Sequence, residues 1–283
     1  KMTGRMSDSA KILYITYISF TILEIILLML SGKVPLFDAV INTLGSISTG
    51  GVMVHPTGIA YYDSVYVEVV IAVFCILSSL NFVLYHYLIT GKFAEVFKDI
   101  ELRAFLIIMA VSIAVCTVAL MAATDSSFGT ALRDSFFQVV SMSSTSGYTR
   151  SPYMTWPSTC QIVLVILMSI GGCASSTSGS LKVVRVLVIF KLIWRGCIKR
   201  INPRSVVAVK LGTTAIPAPV VSGISAFVVT YMGIFLLSSF VLSFQGLGLD
   251  DTMTSDLARL SNPGSALGET ASIGNFSAFT PLL

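Results

Sequence analysis

The chain has 283 residues, 54% apolar and 11% charged, with a mean hydropathy of +0.86 and a formal net charge of +4. Soluble domains carry about 25% charged residues. This composition therefore excludes a soluble globular domain and a charged nucleic-acid-binding tail, and points to a polytopic membrane protein.

A spanning helix needs roughly 20 mostly apolar residues. Ile12 to Ser31 supply the first, with one acid, Glu24. No cleavable leader precedes it: Lys1 to Arg5 run into a full-length span, not a short apolar core. Next comes a short amphipathic stretch, Phe37 to Gly51. Val65 to Leu88 form the second span, with Glu68 near one end and His86 near the other. Phe105 to Thr124 form an uncharged third span. A second short stretch, Arg133 to Gly147, follows. Cys160 to Ile170 are apolar but too few to cross; Gly171 to Ser180 (GGCASSTSGS) interrupt them, and Leu181 to Trp194 resume. Serial Gly, Ser and Thr hold a helix poorly. Irregular backbone at membrane depth survives only against protein or a water-filled cavity. A broken helix lining a cavity is therefore predicted here. Val220 to Phe244 form the last uncharged span, and a faint third short stretch, Ala266 to Ser277, lies beyond it.

The two short stretches align without gaps: FDAVINTLGSISTGG at 37–51 and RDSFFQVVSMSSTSG at 133–147. Each opens on an Asp, Asp38 or Asp134, placed to cap a helix N-terminus. Each closes on a Gly thirteen residues later, Gly51 or Gly147. Both are too short to cross, so both should dip in and return as pore loops. The negative end of such a helix's dipole favours a cation, and the following glycine lets carbonyls face one axis. In the third stretch Gly274, Asn275, Phe276 and Ser277 are the expected counterparts, with Ser277 in the place of Gly51 and Gly147.

Twelve basic residues (Lys1, Arg5, Lys11, Lys92, Lys98, Arg103, Lys191, Arg195, Lys199, Arg200, Arg204, Lys210) fall on one side if the spans alternate. The positive-inside rule makes that side cytoplasmic. Lys33, Arg133, Arg150 and Arg259 fall on the other side, and Lys182 and Arg185 sit beside the broken helix. For Glu24 and Glu68 a functional role and a packing or interfacial role stand equal. His86, between Tyr85 and Tyr87, reads as an interfacial anchor. Cys75, Cys116, Cys160, Cys173 and Cys197 form no CxxC and read as apolar filler. His55 and His86 are too far apart for a metal or triad site.

These motifs resemble the Trk/Ktr/HKT superfamily of potassium transporters, and most of all its TrkH family. STGG at 48–51 and STSGY at 144–148 are similar to the second and third filter loops, and residues 171–185 (GGCASSTSGSLKVVR) to the broken-helix motif. Asn81-Phe82 with Tyr85-His86, and Asn202 to Val206, are further matches. Ser175, Ser178 and Ser180 stand where the motif has glycines. The resemblance implies an all-α fold of helix–pore loop–helix repeats around a pseudo-fourfold pore. It implies that this chain carries repeats two (1–98) and three (99–203) and the first helix and loop of repeat four (204–283), an incomplete set.

The function implied is potassium uptake across the inner membrane of a bacterium or archaeon. Ser48, Thr49, Gly50, Gly51, Ser144, Thr145, Ser146, Gly147 and Gly274 to Ser277 would offer filter carbonyls. Gly171, Gly172, Ala174, Ser175, Ser176, Thr177, Ser178 and Gly179 would form the gate. Lys182 and Arg185, three apart, would share a face beside it, Arg185 turned inward. The resemblance further implies a homodimer and a cytoplasmic nucleotide-binding ring of the TrkA type. No cofactor is expected, potassium being the transported ion, and its preference over sodium is open. The alternative is an ion-coupled secondary transporter with alternating access; parallel repeats in re-entrant loops speak against it. An enzyme is not expected: the 172–182 run fails the GxxxxGK[ST] spacing, because Ser180 and Leu181 follow Gly179.

Overall fold

The computed structural model describes residues 6–124, 126–205, 207–212, 214–244 and 248–262. The chain runs α1 (Met6–Leu30), α2 (Leu36–Ile47), α3 (Val65–Ser79), α4 (Phe82–Ile89), α5 (Phe93–Lys98), α6 (Ile100–Ala123), α7 (Phe128–Ser143), α8 (Ser158–Ile170), α9 (Val183–Ile201), α10 (Ala218–Ser243) and α11 (Leu249–Ser261). A small antiparallel hairpin, Lys210–Leu211 with Thr214–Ala215, separates α9 from α10. Among the described residues three helices are long and apolar enough to cross a bilayer: Lys11–Leu30 within α1, α6 and α10.

The expected spans are present except in one respect. Val65 to Leu88 is not one helix: α3 and α4 meet at 95°. Leu80 and Asn81 are extended there, and the Asn81 side chain accepts from Val83 N at 3.0 Å, capping α4. Ser78 and Ser79 turn their hydroxyls back on the Cys75 carbonyl, the local competition that ends helices. Phe82 is buried and packs edge-on against Phe20 of α1, as does Tyr85. Tertiary packing thus holds the bend.

Both short stretches are helices between spans. α2 has 12 residues and α7 has 16, about 18 and 24 Å at 1.5 Å per residue, less than the bilayer core of about 30 Å. α7 packs against α3, α6 and α8. The buried core runs through Ile71, Phe74, Phe105, Leu164, Leu167 and Met168. α11 occupies the same place after α10 that α2 holds after α1 and α7 after α6.

Candidate functional site

Each re-entrant helix ends in the same backbone turn. Ser48 (φ −74°, ψ −11°) and Ser144 (φ −79°, ψ −10°) are right-handed caps. Thr49 (φ 54°) and Thr145 (φ 60°) then turn left-handed, and so do Gly51 (φ 68°) and Gly147 (φ 67°) two residues on. A β-branched residue with positive φ is an outlier, so its recurrence at equivalent places marks an imposed geometry. Backbone carbonyls are the groups that can replace a cation's hydration shell, and these dihedrals reorient them over a few residues at each helix end. At the end of α11, Asn262 (φ 67°) makes the same turn.

That position offers a second register for the third loop. Asp38, Asp134 and Asp251 each precede the left-handed residue by eleven positions and a glycine (Gly51, Gly147, Gly264) by thirteen. Gly274 to Ser277 lie outside the described residues. They fall beyond this register, in a stretch of similar Gly and Ser content. The ends of α11 and α2 also meet: the Asn262 side-chain amide donates to the Thr49 carbonyl at 3.3 Å.

The aspartates do not cap. The N-cap of α2 is Pro35 and that of α7 is Ser127, whose hydroxyl accepts from Thr130 N. Asp38 lies in the first turn of α2 and accepts from Tyr62 Oη at 2.9 Å; His55 Nε2 lies 3.0 Å from the same oxygen. Burial, and then the bond to Asp38, push the Tyr62 hydroxyl well above its ordinary pKa, which keeps it a donor. Asp134 sits in mid-helix and meets Arg150. Spacing from the glycine fixed the register of both acids, but the helices begin where Pro35 and Ser127 allow.

Glu68 is resolved as structural. It accepts from Arg133 at 2.8 and 2.9 Å and pairs with Arg150 at 2.8 Å, joining α3 to α7 and to the strand after Gly147. Glu24 is fully buried and meets the Ser46 hydroxyl of α2 at 2.7 Å. Asp256, which the sequence reading passed over, accepts from Ser238 at 2.8 Å and Ser239 at 2.7 Å, tying α11 to α10.

The run Gly171 to Ser180 is irregular and separates α8 from α9. It abuts the second turn: Gly179 N donates to Thr145 Oγ1 at 2.9 Å. Gly179 is needed there, because a side chain would strike the Ser261 carbonyl at the end of α11. The bend of α3 receives the run's other side. Cys173 N donates to the Ser79 carbonyl at 2.8 Å, Thr177 N and Oγ1 reach the Ser78 carbonyl, and Phe82 N donates to the Ser175 carbonyl at 3.1 Å. A continuous helix would have used those groups internally. Glu101 of α6, which nothing in the sequence singles out, accepts from Ala174 N at 2.6 Å and Val184 N at 3.1 Å, tying the run to the first turn of α9. Each contact comes from an element distant in sequence, so no local signal announced it.

Lys182 and Arg185 do not share a helix face. Lys182 is left-handed (φ 71°) and precedes α9. Its Nζ folds back to the Ser176 carbonyl at 3.2 Å. Arg185 bonds the Leu181 carbonyl at 3.1 Å and lies 4.0 Å over the Phe227 ring of α10.

Residues 1–282 match the family described as TrkH, cation transport protein. The "Trk system potassium uptake protein TrkH" of Salmonella typhimurium is 33% identical over 287 residues, covering 100% of this chain and 58% of that protein. The "Trk system potassium uptake protein TrkG" of Escherichia coli is 31% identical over 275 residues, 96% of this chain and 56% of that protein. The crystal structure of the potassium transporter TrkH from Vibrio parahaemolyticus superimposes with a TM-score of 0.86 at 32% identity, covering 95% of this chain and 58% of that one. The chain thus spans a little over half the length of these relatives.

Proposed function

The chain belongs to the TrkH family of cation transport proteins, and on that premise we propose that the protein takes up potassium through a pore with a backbone-carbonyl filter and an intramembrane gating loop. One observation carries the reading: α2, α7 and α11 each run into a left-handed residue, at Thr49, Thr145 and Asn262, and the Asn262 amide reaches the Thr49 carbonyl. The filter is assigned to Ser48–Gly51, Ser144–Gly147 and Ser261 to Gly264, the last replacing Gly274–Ser277. Glycine then stands at all three closing positions, Gly51, Gly147 and Gly264. The C-terminal ends of α2, α7 and α11 add the negative ends of their dipoles. The ion is cargo, and no cofactor enters the scheme.

The gate is assigned to Gly171, Gly172, Ala174 to Gly179, with Lys182 placing a positive charge on the loop itself. The bond of Gly179 to Thr145 supports a loop set beside the second filter segment, where in this reading it would obstruct the ion path. The repeats are assigned to 1–98, 99–203 and 204–283, in a homodimer in the inner membrane of a bacterium or archaeon. A nucleotide-binding ring of the TrkA type would meet the cytoplasmic face, where α9 ends in Lys199 and Arg200.

The test is rescue. The complete protein carrying this chain should restore growth of a potassium-uptake-deficient bacterium at low potassium, and deletion within Ala174 to Ser178 should raise uptake. Failure of rescue by well-inserted protein overturns the uptake reading. Unchanged or lost flux in the deletion variant overturns the gate.

A further inference from the structure

One side chain crosses between the first two turns. Tyr148 follows Gly147, is fully buried, and projects its hydroxyl into the neighbouring repeat. There it donates to the Asn42 carbonyl of α2 at 2.6 Å and lies 3.2 Å from the Val52 carbonyl, the residue after Gly51. The hydroxyl therefore touches both the helix that leads into the first filter segment and the strand that leaves it.

Two features show that the fold is arranged around this contact. Gly45 stands in the interior of α2, where glycine is among the poorest helix formers. A Cβ there would collide with the Tyr148 hydroxyl and come within 2.7 Å of the Val52 carbonyl. The glycine thus opens the notch the hydroxyl occupies. The ring's own base is also anchored: the Thr149 carbonyl accepts from Ile59 N at 2.9 Å, in the outer loop of the first repeat. Tyr148 is a rigid strut, fixed at one end by the second segment and seated at the other on the first.

We propose that Tyr148 is a specificity-determining positioning residue. Its hydroxyl, seated in the Gly45 notch, sets the spacing between the first and second filter segments and so the preference for potassium over sodium. The inference rests on the filter assignment above. The contact involves backbone carbonyls, and carbonyl placement is what a cage that replaces hydration depends on.

Tyr148→Phe keeps the ring and removes the strut's contact. In the complete protein, potassium-dependent uptake should show a potassium KM raised roughly three- to tenfold, the scale of one net hydrogen bond. Sodium should compete correspondingly better, while maximal rate and melting temperature stay close to the parent. Gly45→Ala, with Tyr148 intact, should shift the same ratio by evicting the hydroxyl. The double variant should lose less than the product of the two losses, since both act through one contact. A merely structural role would lower protein yield and maximal rate and leave the ion ratio alone; that outcome overturns the proposal. Gly147→Ala serves as reference. If it destroys selectivity while Tyr148→Phe and Gly45→Ala preserve it, the strut is rejected and the filter stands. If all three preserve selectivity, both assignments fall.

Discussion

The first and second re-entrant loops share a register and differ in what secures them. α2 is held by neutral or single-acid contacts: Tyr62 and His55 on Asp38, and Ser46 on Glu24. α7 is held by ions: Arg133 and Arg150 on Glu68, and Arg150 again on Asp134. Ser144 to Gly147 are buried throughout, whereas Ser48 is exposed and Gly50 and Gly51 half-buried. Only the second turn touches the intramembrane loop through its threonine hydroxyl among the described residues. The same backbone geometry can therefore be reached by different side-chain support, and the difference falls on the loop that adjoins the proposed gate.

The largest break should come from the closing glycines. Gly147→Ala places a side chain on a left-handed residue inside a fully buried turn, whereas Gly51→Ala does so in a half-buried one. The backbone term alone is about 1–2 kcal/mol. Potassium-over-sodium uptake should be abolished by the first and degraded by the second, with both proteins inserted. Equal, normal selectivity in both removes the filter assignment.

The ionic support is the next lever. Arg150→Gln leaves Glu68 and Asp134 short of a cation in a mostly buried place, a loss of about 3–5 kcal/mol. Asp38→Asn keeps an acceptor for Tyr62 and should cost under about 1 kcal/mol. Melting temperatures of the purified variants should differ in that order. Similar values would mean that ions and neutral donors brace the two loops equally.

A smaller effect separates the threonines. Thr145 Oγ1 accepts from the gate loop, whereas Thr49 Oγ1 only donates to the Ser48 carbonyl beside it. Thr145→Val should release one net hydrogen bond, about 0.5–1.5 kcal/mol, and raise flux roughly two- to tenfold. Thr49→Val should not raise it. The smallest effect is at the helix starts. Ser127→Ala removes the cap of α7 at about 1 kcal/mol or less. Pro35 offers no side-chain cap to α2, so Pro35→Ala has no such bond to lose. Chemical denaturation of the two variants measures the contrast.

Much of the site was readable before any coordinates. The spans were legible because apolar runs of bilayer length have few other uses, and the first two loops because a gapless repeat with a fixed Asp-to-Gly spacing is rare by chance. The third stretch is the faintest: Asn262-Pro263-Gly264 keeps the Asp-to-Gly spacing but lacks the Ser-Thr-x-Gly letters, so the letters alone point downstream to residues 274–277. The aspartates were assigned as caps because a first-turn acid and a cap differ by only a few residues. Glu101 and Asp256 went unseen, since a buried acid and a surface acid look alike in a string.

The sequence by itself determined which segments are apolar and long enough to cross, which loops carry the basic residues, and that one helix is interrupted by Gly and Ser. Those properties follow from local composition acting on a bilayer that admits no unpaired backbone. Only the tertiary structure decided that α3 bends at Leu80, that the bend's freed carbonyls receive the loop, and that Tyr148 sits in the notch at Gly45. Each joins groups far apart in sequence; the Tyr148 hydroxyl and the Asn42 carbonyl are separated by 106 positions. A local pattern names the donors and acceptors a segment carries, and three-dimensional packing alone assigns each one its partner.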